Sequence, residues 1–212
     1  MSEANWLTTA QAGLVSMNGW EVFAALLGIG YILFATRESQ WCWPLAFIST
    51  IIYTILFWEN QLPMQALLNL YYIGMAVYGF ILWHRHENQT AELHIHSWPW
   101  QYHLIFIASG TFLSLLFGYY LSTHTTQYPY LDAGVMVFAV MNTVLMARKV
   151  LQNWLYWQVI NSAAILLYAL TGFYATIVMF SIYLFLAIAG YFKWRQLLAV
   201  QSIPQPTLNR QS

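Results

Sequence analysis

The chain has 212 residues, of which 60% are hydrophobic and only 7% are charged, whereas soluble domains carry about 25% charged residues. This composition excludes a water-soluble globular surface and indicates an integral membrane protein. Basic and acidic residues both number 7, so the formal net charge is zero and nucleic acid is not expected as a partner. The single cysteine, Cys42, excludes an internal disulfide.

Seven apolar runs, bounded by charged residues, proline or glycine, are long enough to cross a bilayer, which takes roughly 20 helical residues. They lie near residues 20–36, 41–58, 64–83, 103–122, 131–148, 153–171 and 173–193. The sequence therefore predicts an all-α polytopic membrane protein with seven transmembrane helices. The first residues show no basic segment ahead of a short apolar core, so we expect no cleavable signal peptide.

The last three predicted spans repeat the first three at a distance of 111 positions, without a gap. This register aligns Glu21 with Asp132, Arg37 with Arg148, Trp43 with Trp154, Tyr72 with Tyr183, Gly79 with Gly190, and Trp83 with Trp194. Shared acidic, basic and glycine positions indicate a duplicated three-helix unit. The fourth span lets both units insert in the same direction, which predicts a 3+1+3 fold with parallel repeats. Transporters built from such repeats bind their substrate between them, near mid-membrane.

The predicted organisation follows from this repeat. It comprises a periplasmic N-terminal segment (1–19), a first repeat (20–83), a cytoplasmic connection with linker helix (84–130), a second repeat (131–194) and a cytoplasmic tail (195–212). All the basic residues fall on one side, namely Arg37, Arg85, Arg148, Lys149, Lys193, Arg195 and Arg210. Because basic loops favour the cytoplasm, the N-terminus is expected outside and the C-terminus inside.

The sixth span carries a polar, aromatic face. Trp154, Trp157, Asn161 and Tyr168 follow one another at three- to seven-residue steps along it. Trp154 is also compatible with an interfacial aromatic belt. Asn161 lies about 12 Å inside the helix, where its amide needs a partner from another helix or from a solute.

The third span carries a second such face, with Gln65, Asn69 and Tyr72. Hydrogen bonds between helices would also account for these residues, and simple solvation would account for Gln65 near the helix end. Two amide-and-aromatic faces in one bundle nevertheless favour a shared polar cavity.

No ionisable residue falls deep within a predicted span, which argues against proton coupling and predicts passive transport. A site without arginine or lysine also disfavours phosphorylated substrates. Glu21 and Asp132 lie at outer helix ends, where solvation is expected.

The sequence offers no convincing catalytic, metal or cofactor site. The loop histidines, His84, His86, His94 and His96, lack the spacing of a metal site. Phosphate-binding glycine loops and the HExxH and GxSxG motifs are missing from the sequence, so a membrane enzyme is the weaker hypothesis. Both lysines lie at helix ends, which excludes a retinal Schiff base.

Three segments, WCWPLAFISTIIY, QALLNLYYIGMAVYG and WLYWQVIN, resemble the PnuC family of bacterial nicotinamide riboside transporters, over about Glu21 to Trp194. The resemblance implies a fold related to the SWEET sugar carriers and a homotrimer in the inner membrane. It also implies facilitated diffusion of nicotinamide riboside, which a cytoplasmic kinase then traps by phosphorylation. The implied substrate-binding residues are Gln65, Asn69, Tyr72, Trp154, Trp157 and Asn161, with Trp43, Tyr53, Tyr168 and Tyr183 as further candidates.

The chemistry of these side chains suits that substrate. A pyridinium ring stacks on tryptophan with a cation–π contribution, and amides can bond the ribose hydroxyls and the carboxamide. Thiamine, riboflavin and sugar-like solutes remain alternatives, because composition alone does not distinguish them.

Overall fold

The structure is a computed structural model that describes residues 19–61, 63–87, 93–123 and 127–201. Seven α-helices make up nearly all of this part of the chain. They are α1 (Gly19–Thr36), α2 (Cys42–Glu59), α3 (Pro63–Glu87), α4 (Trp100–Ser122), α5 (Pro129–Ala147), α6 (Asn153–Thr171) and α7 (Tyr174–Gln201). The prediction of seven helices is confirmed. The helices α3 and α7 continue past the predicted ends near 83 and 193, because no proline or glycine interrupts the polar turns there.

Six of the helices in the described part are long and apolar enough to cross a membrane. The exception is α6, whose 19 residues include Asn153, Gln158 and Asn161. Large apolar side chains are exposed on the outside of the bundle, as at Leu104, Phe112 and Leu115 of α4. Such a surface is stable in lipid and not in water, so the chain is a multi-pass membrane protein.

Six helices form a closed ring. Helix α1 packs on α2, α2 on α3, α3 on α5, α5 on α6, α6 on α7, and α7 returns to α1. Helix α4 lies outside this ring and packs on α5. Glycine allows the close approach, because a Cβ at Gly110 would lie 2.5 Å from the Phe138 ring.

Tryptophans fill the core at one end of the ring. Trp43, Trp83, Trp154 and Trp194 are each at most 3% exposed and belong to one buried cluster. The Trp154 ring lies against Gly190, where a Cβ would come within 2.5 Å of it, and the Trp43 ring lies against Gly79 in the same way. Both glycines therefore make room for an indole ring.

This end of the bundle also gathers the basic residues, so we call it the basic end. It contains Arg37, Arg148 and Lys149, just beyond the ends of α1 and α5, and Lys193 and Arg195, within the last three turns of α7. Hydrogen bonds connect the helices at this end. For example, Trp194 Nε1 donates to the Ala35 carbonyl at 2.9 Å. The predicted clustering of these basic residues is confirmed, while Arg210 and residues 1–18 lie outside the described residues.

The turns between helices adopt left-handed conformations at matching places. Glu38 after α1 has φ 59° and Lys149 after α5 has φ 55°. Gln61 after α2 has φ 59° and Gly172 after α6 has φ 82°. Each pair is separated by the register of 111 positions that the sequence predicts, so the backbone turns in the same way at both places.

Candidate substrate site

The α6 helix places two predicted site tryptophans beside the core. Trp154 is 1% exposed, and its ring meets that of Trp194 edge to face, at 5.5 Å between centroids. Its indole N–H is buried without a hydrogen-bond partner among the described residues. Trp157, one turn along, is half-buried and packs against the same cluster. The α6 face therefore combines ring surface with an available donor.

Asn161 lies two turns beyond Trp154 and is 3% exposed. Within the part of the chain that the structure describes, its side-chain amide forms no hydrogen bond. An amide inside a bundle of helices is stabilised by a hydrogen-bond partner. A solute or water that bonds this amide is therefore favoured at this position.

Two other buried asparagines differ from Asn161 in having a backbone partner. Asn142 Nδ2 donates to the Asn153 carbonyl at 2.9 Å, and Asn153 Nδ2 donates to the Val150 carbonyl at 2.6 Å. These amides tie α5 to the start of α6. The side-chain oxygens of both residues have no partner among the described residues.

The face predicted on α3 is less enclosed. Gln65 is exposed in the first turn, and its carbonyl accepts a bond from Asn69 Nδ2 at 2.9 Å. Tyr72 is half-buried and meets Tyr71 edge to face. The Tyr71 hydroxyl donates to the Val140 carbonyl of α5 at 2.8 Å. The amide nitrogen of Asn69 is thus engaged within its own helix.

Of the remaining predicted residues, Trp43 lies near the basic end and matches Trp154. Its ring meets that of Trp83 at 5.5 Å between centroids, and its indole N–H is also without a partner among the described residues. Trp43 and Trp154 therefore present two unbonded donors from opposite sides of the ring of helices.

Three predicted tyrosines lie further from the basic end. Tyr168 and Tyr183 both contact Phe180, at 5.4 and 5.9 Å between ring centroids. Tyr53 stacks on Phe57, at 5.7 Å between ring centroids. Trp154 and Tyr168 are 14 residues apart on α6, about 21 Å along the axis at 1.5 Å per residue. The structure thus spreads the predicted residues over two levels of the bundle instead of one pocket.

Sequence reasoning missed two residues that belong with this set. Tyr31 of α1 lies 6.1 Å from Trp43 between ring centroids. Asn142 of α5 is fully buried and occupies the equivalent place in the 111-residue register. The only sequence signal is one polar residue at the same position of two apolar helices, which is weaker than a face with several polar residues.

Two grooves lie on the outer surface, and neither contains a predicted site residue. One, of about 500 Å³, is formed by α2 and α3 and is lined by Thr54, Ile55, Trp58, Glu59, Ala66, Leu67 and Leu70. The other, of about 410 Å³, lies on α4. Both are lined almost entirely by apolar atoms, so they belong to the lipid-facing surface.

In the described part of the chain, no group of three or more His, Cys, Asp or Glu side chains is close enough to hold a metal ion. His84, predicted in a loop, lies in α3, and its Nδ1 hydrogen-bonds the Gln40 side-chain oxygen at 3.2 Å. The side chain of His86 lies outside the described residues.

Residues 18–196 match the model of the nicotinamide mononucleotide transporter family. The chain belongs to this family. The resemblance predicted from the sequence segments is confirmed, and the nicotinamide mononucleotide transporter family consists of membrane carriers, in line with the architecture described above.

Named relatives in this family point to vitamin-related cargo. The chain is 25% identical to the nicotinamide riboside transporter PnuC of Escherichia coli (strain K12), over 86% of this chain and 87% of that protein. It is also 25% identical to the riboflavin/roseoflavin transporter RibM of Streptomyces davaonensis, over 80% and 84%. The crystal structure of the vitamin B3 transporter PnuC shares its fold, with a TM-score of 0.72, 23% identity, and coverage of 93% and 91%.

Proposed function

We propose that the protein takes up nicotinamide riboside by facilitated diffusion across the bacterial inner membrane. The observation that carries this proposal is the buried Asn161 amide, which has no partner among the described residues and lies on the same face as Trp157. The E. coli relative, similar over most of both chains, is named for this substrate. A buried amide beside a tryptophan suits a solute with a cationic ring and several hydroxyls.

Substrate contacts would come mainly from the level nearer the basic end. Trp157 and Trp154 offer ring faces and an indole donor, and Asn161 offers an amide one turn deeper. Trp43 and Tyr72 would face the path at this level, whereas Gln65 and Asn69, in the first turns of α3, would lie nearer the opposite end. Tyr53, Tyr168 and Tyr183 would line the approach from the opposite end, because they lie at the second level.

Transport would be passive and selective for the unphosphorylated nucleoside. The acidic residues in described spans, Glu21, Glu59, Glu87 and Asp132, lie within the first or last turns of their helices. No charge at mid-depth is then available to couple transport to ions. Although the family is named for the mononucleotide, no arginine or lysine among the described residues is placed beside Asn161 to bind a phosphate. A cytoplasmic kinase that phosphorylates the riboside would therefore trap it.

The architecture behind this function would be a 3+1+3 arrangement. Residues 20–83 and 131–194 would form parallel repeats around an axis along the membrane normal, as in the SWEET carriers, with α4 as the link. Support comes from the equivalent contacts of Gly79 with Trp43 and of Gly190 with Trp154. The basic end would face the cytoplasm, leaving the N-terminus outside. The exposed apolar face of α4 would serve the lipid bilayer and a homotrimer interface.

Riboflavin is the second candidate, because the Streptomyces relative is named for it at the same 25% identity. Its flavin ring would also stack on tryptophan, but it carries no fixed positive charge. Thiamine, which is cationic and lacks ribose, is the third.

Calorimetric titration of the purified protein with nicotinamide riboside, its mononucleotide, riboflavin, thiamine and ribose tests the proposal. We expect binding of the riboside at least tenfold tighter than that of each other compound, a difference of about 1.4 kcal/mol. If riboflavin binds more tightly than nicotinamide riboside, riboflavin is the substrate. In proteoliposomes, exchange of labelled riboside should proceed equally with or without proton and sodium gradients.

A further inference from the structure

An ion pair joins the two halves of the molecule at the basic end. Lys149 Nζ lies 2.6 Å from Glu38 Oε1, and the two side chains are only 12% and 17% exposed. The same ammonium lies 4.7 Å from the centre of the Trp83 ring. Glu38 is in the turn between α1 and α2, and Lys149 is in the turn between α5 and α6. The pair therefore bridges two turns that are far apart in sequence.

The position of this pair relative to the repeats is informative. Glu38 and Lys149 are separated by 111 residues, the register of the proposed repeat, and both have the same left-handed backbone. Two residues related by a twofold axis can touch each other only where both lie close to that axis. Since the axis passes through the centre of the ring of helices, the ion pair lies across the middle of its basic end.

An indole–carbonyl bond flanks the pair on each side. Trp83 Nε1 donates to the Ala147 carbonyl at 2.8 Å, joining α3 to α5. Trp194 Nε1 donates to the Ala35 carbonyl at 2.9 Å, joining α7 to α1. The basic end is thus closed by an ion pair on the axis with one indole–carbonyl bond to each side.

The chemistry of the pair suits a contact that must open and close. A shielded ion pair adds little net stability, because the cost of desolvating both charges offsets much of their attraction. When the two turns separate, both charges regain water, so opening costs less than exposing an equal apolar contact. An alternating-access carrier needs such a balance, since its end states must be close in free energy.

We infer that Glu38 and Lys149 form the gate at the basic end of the transport path, intact when that end is closed and broken when it opens. The inference rests on the proposed function and on the proposed repeats. The structure described above is then the state closed at the basic end.

Thiol labelling tests the gate without any substrate. In a Cys42→Ala background, Ala164→Cys places one thiol on α6, one turn beyond Asn161, at a position that is fully buried. We expect Lys149→Met to raise the rate of labelling from the basic side by roughly tenfold, through a larger open population. The charge-swapped variant, Glu38→Lys with Lys149→Glu, should return the rate to that of the parent.

Arg148→Met is the matched control, because Arg148 is an exposed neighbour of Lys149 and its loss removes the same charge from the same end. Its labelling rate should equal that of the parent. Equal rates for Lys149→Met and the parent would overturn the gate, and so would an equal rise with Arg148→Met.

Cross-linking provides a second test, which does not depend on a destabilising variant. Glu38→Cys and Lys149→Cys, joined by a short reducible bis-thiol reagent in the Cys42→Ala background, should bind riboside normally but exchange it at least about tenfold more slowly. Reductant should restore exchange. Full exchange by the cross-linked protein would overturn the gate. Absence of riboside binding before cross-linking would instead remove the proposed substrate, and the labelling result would still decide the gate.

Discussion

Two pairs of tryptophans lie side by side in the core and differ in one respect. Trp83 and Trp194, the outer pair, each donate the indole N–H to a backbone carbonyl across the repeat boundary. Trp43 and Trp154, the inner pair, are equally buried, but their N–H groups have no partner among the described residues. Each inner ring packs edge to face on an outer ring, at 5.5 Å between centroids in both cases.

The comparison separates residues that hold the molecule together from residues that remain available. A buried donor without a partner costs about 1–3 kcal/mol, and proteins retain such costs mainly at functional sites. The outer pair therefore serves stability, and the inner pair lies beside the path where a solute or water could accept its hydrogen bonds. The same substitution made in both pairs of tryptophans can test this difference.

The largest expected effect is on stability. Trp83→Phe leaves the Ala147 carbonyl without its indole donor, and Trp194→Phe removes the indole donor of the Ala35 carbonyl, which keeps a bond from the Glu38 N–H. With the lost ring area we expect a cost of about 2–3 kcal/mol for each, lower for Trp194→Phe. Trp43→Phe and Trp154→Phe lose similar ring area but remove a donor that has no partner, so each should cost at least about 1 kcal/mol less. Thermal unfolding of the four variants in detergent measures the difference. Equal losses in both pairs would contradict the distinction.

A similar loss is expected in binding at Asn161. Asn161→Leu removes the amide and should weaken riboside binding by about 2 kcal/mol, roughly 30-fold in Kd, with unchanged thermal stability. Ser162→Ala is the matched control, because Ser162 is exposed and bonds the Gln158 carbonyl within its own helix. Calorimetric titration of both variants measures the effect. If Asn161→Leu binds the riboside with wild-type affinity, Asn161 serves helix packing and not substrate binding.

A smaller effect should follow from moving an inner ring. Gly190→Ala brings a methyl group onto the Trp154 ring, so we expect a loss of stability of about 1–2 kcal/mol and weaker riboside binding. Gly118→Ala is the control, since it crowds Tyr130 at the contact of α4 with α5, outside the ring. The control should lose comparable stability and keep its affinity. If both variants bind equally well, the position of Trp154 does not matter to the substrate.

The smallest effect extends the comparison to the end opposite the tryptophans. Gln61 and Gly172 occupy equivalent turns with φ of 59° and 82°. Gln61→Gly should raise stability by up to about 1 kcal/mol, because glycine avoids the left-handed penalty. Gly172→Gln should lower stability by a similar amount. A change of the same sign in the two unfolding measurements would show that these turns are not equivalent.

The helices were predictable, because each apolar run had the length of a bilayer crossing and was bounded by breaking residues. The register of 111 positions also identified Trp43, Trp154, Gly79 and Gly190, but not that each glycine lies under a ring, since packing between helices is not visible in one sequence. Of the candidate site, the predictions named the α6 face and missed Tyr31 and Asn142.

The ion pair escaped prediction for a different reason. The register aligned Arg37 with Arg148, which are alike, and passed over Glu38 and Lys149, which are adjacent to them. A search for repeats looks for identical residues at equivalent positions. Two charged residues that contact each other across an axis attract only if their charges are opposite. Complementary residues at equivalent positions are thus a signal that a search for likeness discards.

The low hydropathy of α6 has a consequence for the biogenesis of the protein. The asparagines and the glutamine of α6 raise the free-energy cost of moving this helix by itself from the insertion machinery into the lipid. We expect α6 to enter the bilayer together with its neighbours, because the Asn142 amide of α5 donates to the Asn153 backbone carbonyl and α7 packs on α6. A chain that stops after Thr171 would then leave α6 outside the membrane, so the most polar helix depends during synthesis on the last one to be made.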